Sequence, residues 1–329
     1  MIHRFQSTNA ARPLCALLAL LMVLPVAALE QVAAPEGRPV AGLLAQAKSE
    51  IPPEILALEM KARNHNERSE PQQALALMQQ VMAWVNANLP RNDPYRAQTQ
   101  SIVGALLNAE GRHQEALGPT EEAIKIYSEL AKTNPSLLGD LAMALNNLGM
   151  SYNEVGRHQE ALAPTEEALK IYRELAKTNP SLLGDLAMAL NNLGMSYSLL
   201  GRRQEALAPT EEAVKVYRDL VKTNPADLNN MAKTLSNLGM CYGLLDRHQE
   251  ALAPTEEAVK IYRDLAKTNP VDLAMALNNL GLTQQELGKP KQARRSVAEA
   301  VAIIRQLAAT NPAFQEFMQG MLKNLEIMN

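Results

Sequence analysis

The residues along this chain best equipped for chemistry are asparagines. Asn147, Asn192, Asn237 and Asn279 form one periodic file; Asn146, Asn191, Ser236 and Asn278 form a second. A carboxamide offers both a donor and an acceptor, which is the complement of a peptide backbone amide. Asparagine is also a poor helix former, so its repetition within helical sequence asks for a reason. Met143, Asn146, Asn147, Met150 and Asn153 follow the i, i+3, i+4, i+7 spacing of one helix face. Packed helices lie roughly 8–10 Å apart, so each file would make a spaced ladder. Met150, Met195 and Met240 flank the amides, as adaptable contact surface or as packing between units. The amides serve as contacts for a bound backbone, or else as bridges between neighbouring units; near-identical copies also fit recent duplication.

No other set of residues points to catalysis. His113, His158 and His248 recur one or two units apart at the same turn, too far apart to share a metal that needs bonds of about 2.0–2.1 Å. They read as surface turn residues. The Glu-Glu pairs beginning at Glu121, Glu166, Glu211 and Glu256 recur likewise and read as a solvated face rather than an acid/base pair. No P-loop, GxSxG or HExxH motif occurs. Cys241 stands where Ser151 and Ser196 stand in other copies, and reads as a small buried thiol. No cofactor is implied.

The elements that hold the asparagines are set by a repeat. The tripeptide TNP begins at Thr133, Thr178, Thr223, Thr268 and Thr310, at steps of 45, 45, 45 and 42, and the segments 136–180 and 181–225 differ at 8 of 45 positions. A fixed period of this size means one supersecondary unit stacked on copies of itself. Within a unit Asp140 is expected to cap the first helix, and Leu141, Leu145, Leu148, Gly149 and Tyr152 to form its core face. Gly156 would end that helix in a left-handed cap. The second helix would bury Ala161, Leu162, Ala168, Leu169, Ile171, Tyr172 and Leu175 and end at Asn179-Pro180. Pro119, Pro164, Pro209 and Pro254 lie beyond the first turn of that helix and are expected to kink it. Gly149 and Ala161 are small where two helices approach closely. The copies differ most where a ligand would be read: Asn153-Glu154 becomes Ser198-Leu199, then Gly243-Leu244, then Gln285-Glu286.

The run NLG-x-x-Y followed by G-R-x-x-E-A-L resembles the tetratricopeptide repeat, carried by Leu148, Gly149, Tyr152, Gly156, Ala161, Ala168 and Pro180. Thr165 stands where that family usually has an aromatic, and the unit exceeds the usual 34 residues. LNNLG, the 42-residue step and the proline of E-A-x-P resemble the kinesin light chain subtype as found in bacterial arrays. The resemblance covers about residues 51–312. It implies an all-α, right-handed superhelix of about six helix pairs, at 51–93, 94–135, 136–180, 181–225, 226–270 and 271–312, closed by a capping helix over 313–329. It also implies that the face bearing Asn146, Asn147, Met150, Asn153, Asn191, Asn192, Met195, Asn237, Met240, Asn278 and Asn279 lines a concave groove for an extended peptide or partner segment. Two other readings follow: a sensor or regulatory subunit of a separately encoded peptidase or signalling system, since bacterial arrays of this kind occur fused to such domains, and a spacer without a specific ligand.

Bulk features frame these expectations. Residues 1–28 read as a secretory leader, with Arg4 and Arg12, the apolar run Leu14–Val23 and small residues before a cleavage site after Ala28. Such a core of about ten residues falls short of the ~20 that a membrane span needs. Cys15 sits near the start of the run, which argues against lipidation, and its loss leaves one thiol. Residues 29–50 read as a linker running into a short helix around Leu43. The expected mature chain is periplasmic or secreted, with no membrane insertion after cleavage. It holds 30 basic against 35 acidic residues, with no basic stripe marking nucleic acid as a partner.

Overall fold

The structure, a computed structural model, describes residues 51–68, 70–265, 270–311 and 314–327. The expected leader and linker, and the short helix around Leu43, lie outside the described residues. Thirteen α-helices and three single-turn 3-10 segments are present among the described residues, and no strand. The helices are α1 (Pro53–Glu67), α2 (Pro71–Asn88), α3 (Pro94–Ala109), α4 (His113–Ala131), α5 (Leu138–Glu154), α6 (His158–Ala176) and α7 (Leu183–Leu199), followed by α8 (Arg203–Leu220), α9 (Leu228–Leu244), α10 (His248–Asp264), α11 (Pro270–Glu286), α12 (Pro290–Thr310) and α13 (Gln315–Ile327). The first twelve make six hairpins. The chain divides within α7 into two compact units, one up to Asn192 and one from Leu193.

In the first unit α3 packs on α4, α5 on α6, and α4 on the following α5, so hairpins stack in chain order. Its core holds Ala116, Ala123, Tyr127, Leu145, Ala161 and Tyr172, each 5 % exposed or less. In the second unit α9 packs on α10, α11 on α12 and α12 on α13. There Ala206, Tyr217, Leu235, Ala258, Val297 and Ile304 are the corresponding buried set. Alanine and tyrosine recur because two helix backbones must approach closely at one level while a large ring fills the wider space at the next.

The hairpin contact depends on glycine. A Cβ built on Gly149 would overlap Thr165 Oγ1 and lie 3.2 Å from the carbonyl oxygen of Ala161. Gly194 meets Thr210 and Ala206 in the same way, at 3.1 Å from the carbonyl. This explains the threonine that departs from the family's usual aromatic. Thr165 Oγ1 donates to Ala161 O at 2.7 Å and Thr210 Oγ1 to Ala206 O at 2.8 Å, turning a compact hydroxyl toward the neighbouring backbone. The helices α4, α6, α8 and α10 remain α-helical through Pro119, Pro164, Pro209 and Pro254.

The helix starts differ from expectation. Asp140 is not the cap of α5: that helix begins at Leu138, directly after the 3-10 turn Pro135–Leu137, which places Asp140 inside its first turn. The asparagine of TNP caps that 3-10 turn, and the α-helix follows from it with no side-chain cap of its own. Asn134 Oδ1 accepts from the Ser136 N–H at 3.2 Å, Asn179 Oδ1 from Ser181 at 3.2 Å and Asn224 Oδ1 from Ala226 at 3.3 Å. Asn-Pro therefore opens the next unit rather than closing the previous helix, because proline suits the first position of a turn that continues as helix. A carboxylate at Asp140 still complements the positive end of the helix dipole.

Gly156 adopts φ +78°, as expected of a left-handed cap, and Gly201 and Gly288 take +72° and +68°. Asp246 occupies the same turn position with φ 59°. The left-handed region costs an L-residue roughly 1–2 kcal/mol, less for aspartate, and glycine gives part of that back through its freer unfolded chain. Asp246→Gly is expected to stabilise the protein by about 0.5 kcal/mol, read as a higher urea midpoint with an unchanged slope.

Arg96 is a buried charge that its sequence context does not announce. It is 9 % exposed, and its guanidinium donates to the carbonyl oxygens of Asn86 at 3.0 Å, Leu89 at 3.1 Å and Pro90 at 3.1 Å, and to Asn86 Oδ1 at 2.7 Å. It satisfies the carbonyls left open at the end of α2.

The last helix repeats the register of a first helix. Leu322, Asn324 and Leu325 align with Leu190, Asn192 and Leu193, while Glu326 stands in the position of Gly194.

Candidate functional site

The asparagine files lie where successive first helices run side by side. In the first unit α3 packs beside α5, and in the second α9 beside α11. The face opposite the hairpin contact is therefore covered in part by the neighbouring hairpin. Asn146 is 2 % exposed; Asn147, Asn153 and Asn191 are buried; Asn192 and Met150 are half-buried. Asn192 Nδ2 donates to Asn146 Oδ1 at 3.1 Å, a bridge from one file to the other. In the second unit Met195, Ser236, Asn237 and Asn278 are buried, while Met240 and Asn279 are half-buried. Asn324 Nδ2 donates to Asn278 Oδ1 at 2.9 Å, so α13 repeats the bridge that Asn192 makes.

These amides thus join hairpins, and the part of the face that solvent reaches is narrower than the sequence pattern. In the first unit it is formed by Met143, Met150, Met188 and Asn192; in the second by Lys233, Met240 and Asn279. Thioethers on flexible stems beside carboxamides make a surface that adapts to apolar side chains and hydrogen-bonds a backbone.

The recurrent histidines are not plain surface residues. His113, at the start of α4, is half-buried, with Nδ1 3.1 Å from Asn108 Oδ1 and Nε2 3.9 Å from Glu154 Oε2. Ser151 Oγ lies 2.9 Å from Asn108 Oδ1 and 2.9 Å from the carbonyl oxygen of Asn147. Burial pushes the His113 imidazole below its ordinary value. Asn108 is fully buried and belongs to this cluster, which links α3, α4 and α5. The signal for it was an Asn five residues before a His, at Asn108–His113 and again at Asn153–His158. Among the described residues no group of three or more His, Cys, Asp and Glu is placed to hold a metal.

The glutamate pairs carry more than solvation. Tyr152 donates its hydroxyl to Glu121 Oε1 at 2.9 Å, and the Arg157 guanidinium lies 4.4 Å from the ring centroid while pairing with Glu160. In the second unit Tyr242 donates to Glu211 Oε1 at 2.6 Å under Arg247, 4.7 Å from its ring. Burial first, then the Glu211 bond, pushes the Tyr242 phenol up to about 12, so it stays a donor. Cys241 is buried, with Sγ 3.6 Å from Ser198 Oγ and 3.9 Å from Thr210 Oγ1, and burial pushes its thiol up.

A small concavity opens between α1 and α3, rimmed by Glu59, Arg63 and Gln98 over Met78, Ile102 and Leu106. Its carboxylate is engaged: Tyr95 donates to Glu59 Oε2 at 2.8 Å, and Arg63 stands 3.8 Å from Oε1.

Stacked helical hairpins with a Gly–Ala–Tyr contact define a helical-repeat scaffold. Residues 140–219 and 230–306 match the family model for the tetratricopeptide repeat, and these stretches are tetratricopeptide repeats. Among solved structures it is similar to a putative kinesin light chain of Podospora anserina with nearly identical repeats, at 22 % identity over 65 % of this chain and 97 % of that one, TM-score 0.50. It is similar to BtubC from P. vanneervenii at 23 % identity over 82 % and 93 % of the two chains, TM-score 0.52. It also matches a Rap protein complexed with competence and sporulation factor, at 12 % identity over 98 % and 90 %, TM-score 0.56. These likenesses show the shared fold. No curated protein matches. A fold of this family is a scaffold for protein–protein interaction.

Proposed function

We propose that the protein is a non-catalytic interaction module that holds an extended peptide or partner segment along the Met–Asn face of its first helices. The observation carrying this reading is the half-exposed strip of Met143, Met150, Met188 and Asn192 in the first unit, repeated in kind by Met240 and Asn279 in the second. An extended backbone presents amides at a regular rise of about 3.3 Å, and carboxamides answer both of its hydrogen-bonding groups. The site residues remain Asn146, Asn147, Met150, Asn153, Asn191, Asn192, Met195, Asn237, Met240, Asn278 and Asn279. The buried amides set the wall, and the half-exposed residues meet the ligand.

Export completes the proposal. The leader of residues 1–28 and the linker of 29–50 would deliver the repeats to the periplasm or medium, which fits the absence of any membrane-crossing helix among the described residues.

The test is a displayed library of extended peptides, followed by alanine at Asn147, Asn192 and Asn237 together. Affinity for the selected peptides is expected to fall about tenfold or more, while the protein still melts cooperatively. Unchanged affinity would remove the amides from the site. One observation favours a second reading, the spacer: Asn146 and Asn192, like Asn278 and Asn324, bond to each other. A library that selects no binder to the wild-type protein would support it.

A further inference from the structure

The outer face of α12 breaks the charge pattern that α4, α6, α8 and α10 share. In α6, α8 and α10 the turn arginine pairs with a glutamate three residues on: Arg157 with Glu160, Arg202 with Glu205, Arg247 with Glu250. At α12 the corresponding residues are Lys289 and Gln292, so that pair is gone. Lys291, Arg294, Arg295 and Ala298 stand where α10 has Gln249, Leu252, Ala253 and Glu256. Lys291, Arg294, Arg295 and Arg305 are exposed, Lys289 is half-exposed, and none of the five makes an ion pair among the described residues. The neighbouring Glu299 is engaged by Arg263 at 2.9 Å.

Four of these cations crowd the first turns of the helix, where no acidic residue offsets them. Positive charge at that end opposes the helix dipole, and like charges at i,i+3 and i,i+4 repel. The arrangement therefore works against stability, and an external anion would relieve it. Lys291, Arg294, Arg295, Ala298, Ala302 and Arg305 share one face, which runs about 21 Å at 1.5 Å per residue. That length matches about six residues of extended chain.

We propose that this face of α12 docks a carboxylate-rich polypeptide segment of a partner protein. Two arginines at consecutive positions present planar forks suited to bidentate carboxylates, and the small Ala298 and Ala302 leave the surface open to a backbone. A membrane is a poorer occupant: among the described residues the one exposed large hydrophobic side chain is Met60 on α1, so no apolar anchor stands beside the patch. Nucleic acid is disfavoured by a net charge of −3 and by the exposed Glu286 nearby. This surface is separate from the Met–Asn face, and neither reading depends on the other.

The experiment measures the anisotropy of fluorescein-labelled octaglutamate with the full chain at low ionic strength. Saturable binding is expected. Arg294→Glu with Arg295→Glu should weaken it about tenfold or more, Arg294→Gln with Arg295→Gln less, and added salt should weaken it progressively. The control, Lys125→Glu with Lys170→Glu, changes net charge equally on exposed sites of other second helices and should leave binding within about twofold. Circular dichroism confirms the folded state of each variant. The proposal is overturned by an absence of saturable binding, by equal losses in control and patch variants, or by tighter binding of phosphatidylglycerol vesicles or oligothymidylate than of the peptide at the same salt.

Discussion

Replacing Gly149 by valine is expected to cost about 3 kcal/mol and to lower the melting temperature by several degrees. The magnitude follows from what the added Cβ meets. Thr165 Oγ1 is overlapped outright, and the threonine cannot turn away without releasing its 2.7 Å bond to the Ala161 carbonyl. Behind it stands that carbonyl itself, 3.2 Å from the new atom and fixed in the backbone of α6. The hairpin must open, and the loosened α5–α6 contact propagates to the adjoining α4. Thr165→Ala in the valine background should recover part of the loss, because it removes one of the two obstacles. A double-mutant cycle by urea denaturation reads the coupling, expected at about 1 kcal/mol. Strict additivity would mean that the two residues do not meet.

Asn324→Leu is expected to cost about 2 kcal/mol, the penalty for leaving a buried acceptor without its donor. Asn278 is 1 % exposed and Asn324 2 %, so water does not replace the missing N–H. The Nδ2 of Asn278 already lacks a hydrogen-bond partner among the described residues, so this amide tolerates little further loss. Changing both residues to leucine removes the unsatisfied group along with its partner and should restore most of the stability. Hydrogen exchange gives the local readout: amides of α13 should lose protection in the single variant and regain it in the double. Loss of protection in α11 to the same degree would instead indicate global unfolding.

The fold was legible because the repeat states its own grammar several times. TNP marks the joints after α4, α6, α8, α10 and α12, NLG-x-x-Y marks α5, α7 and α9, and the glycines at the inner turns take the positive φ that their position demands. Asp140 misled because an acidic residue before an apolar run resembles a cap, whereas the proline-led 3-10 turn starts the helix two residues earlier. The asparagine face was half legible. Helical spacing located it, but spacing within one helix carries no information about the next hairpin, and contact with that neighbour buries Asn146 and Asn278. Arg96 and the Asn108–His113 pair escaped for a related reason. Arginine and histidine beside turns are usually solvated, and only tertiary packing shows the carbonyls that one satisfies and the amide that the other meets.

Glu326 changes what α13 can pack against. Elsewhere in the second unit that register position is Gly194, Gly239 or Gly281, bare enough for the returning helix to lay its backbone against it. A charged side chain there refuses such a companion, although Asn324 on the same helix still grips the preceding unit. Helix α13 thus keeps the grip of a first helix without the bare spot on which a second helix leans. Glu326→Gly would restore that bare spot.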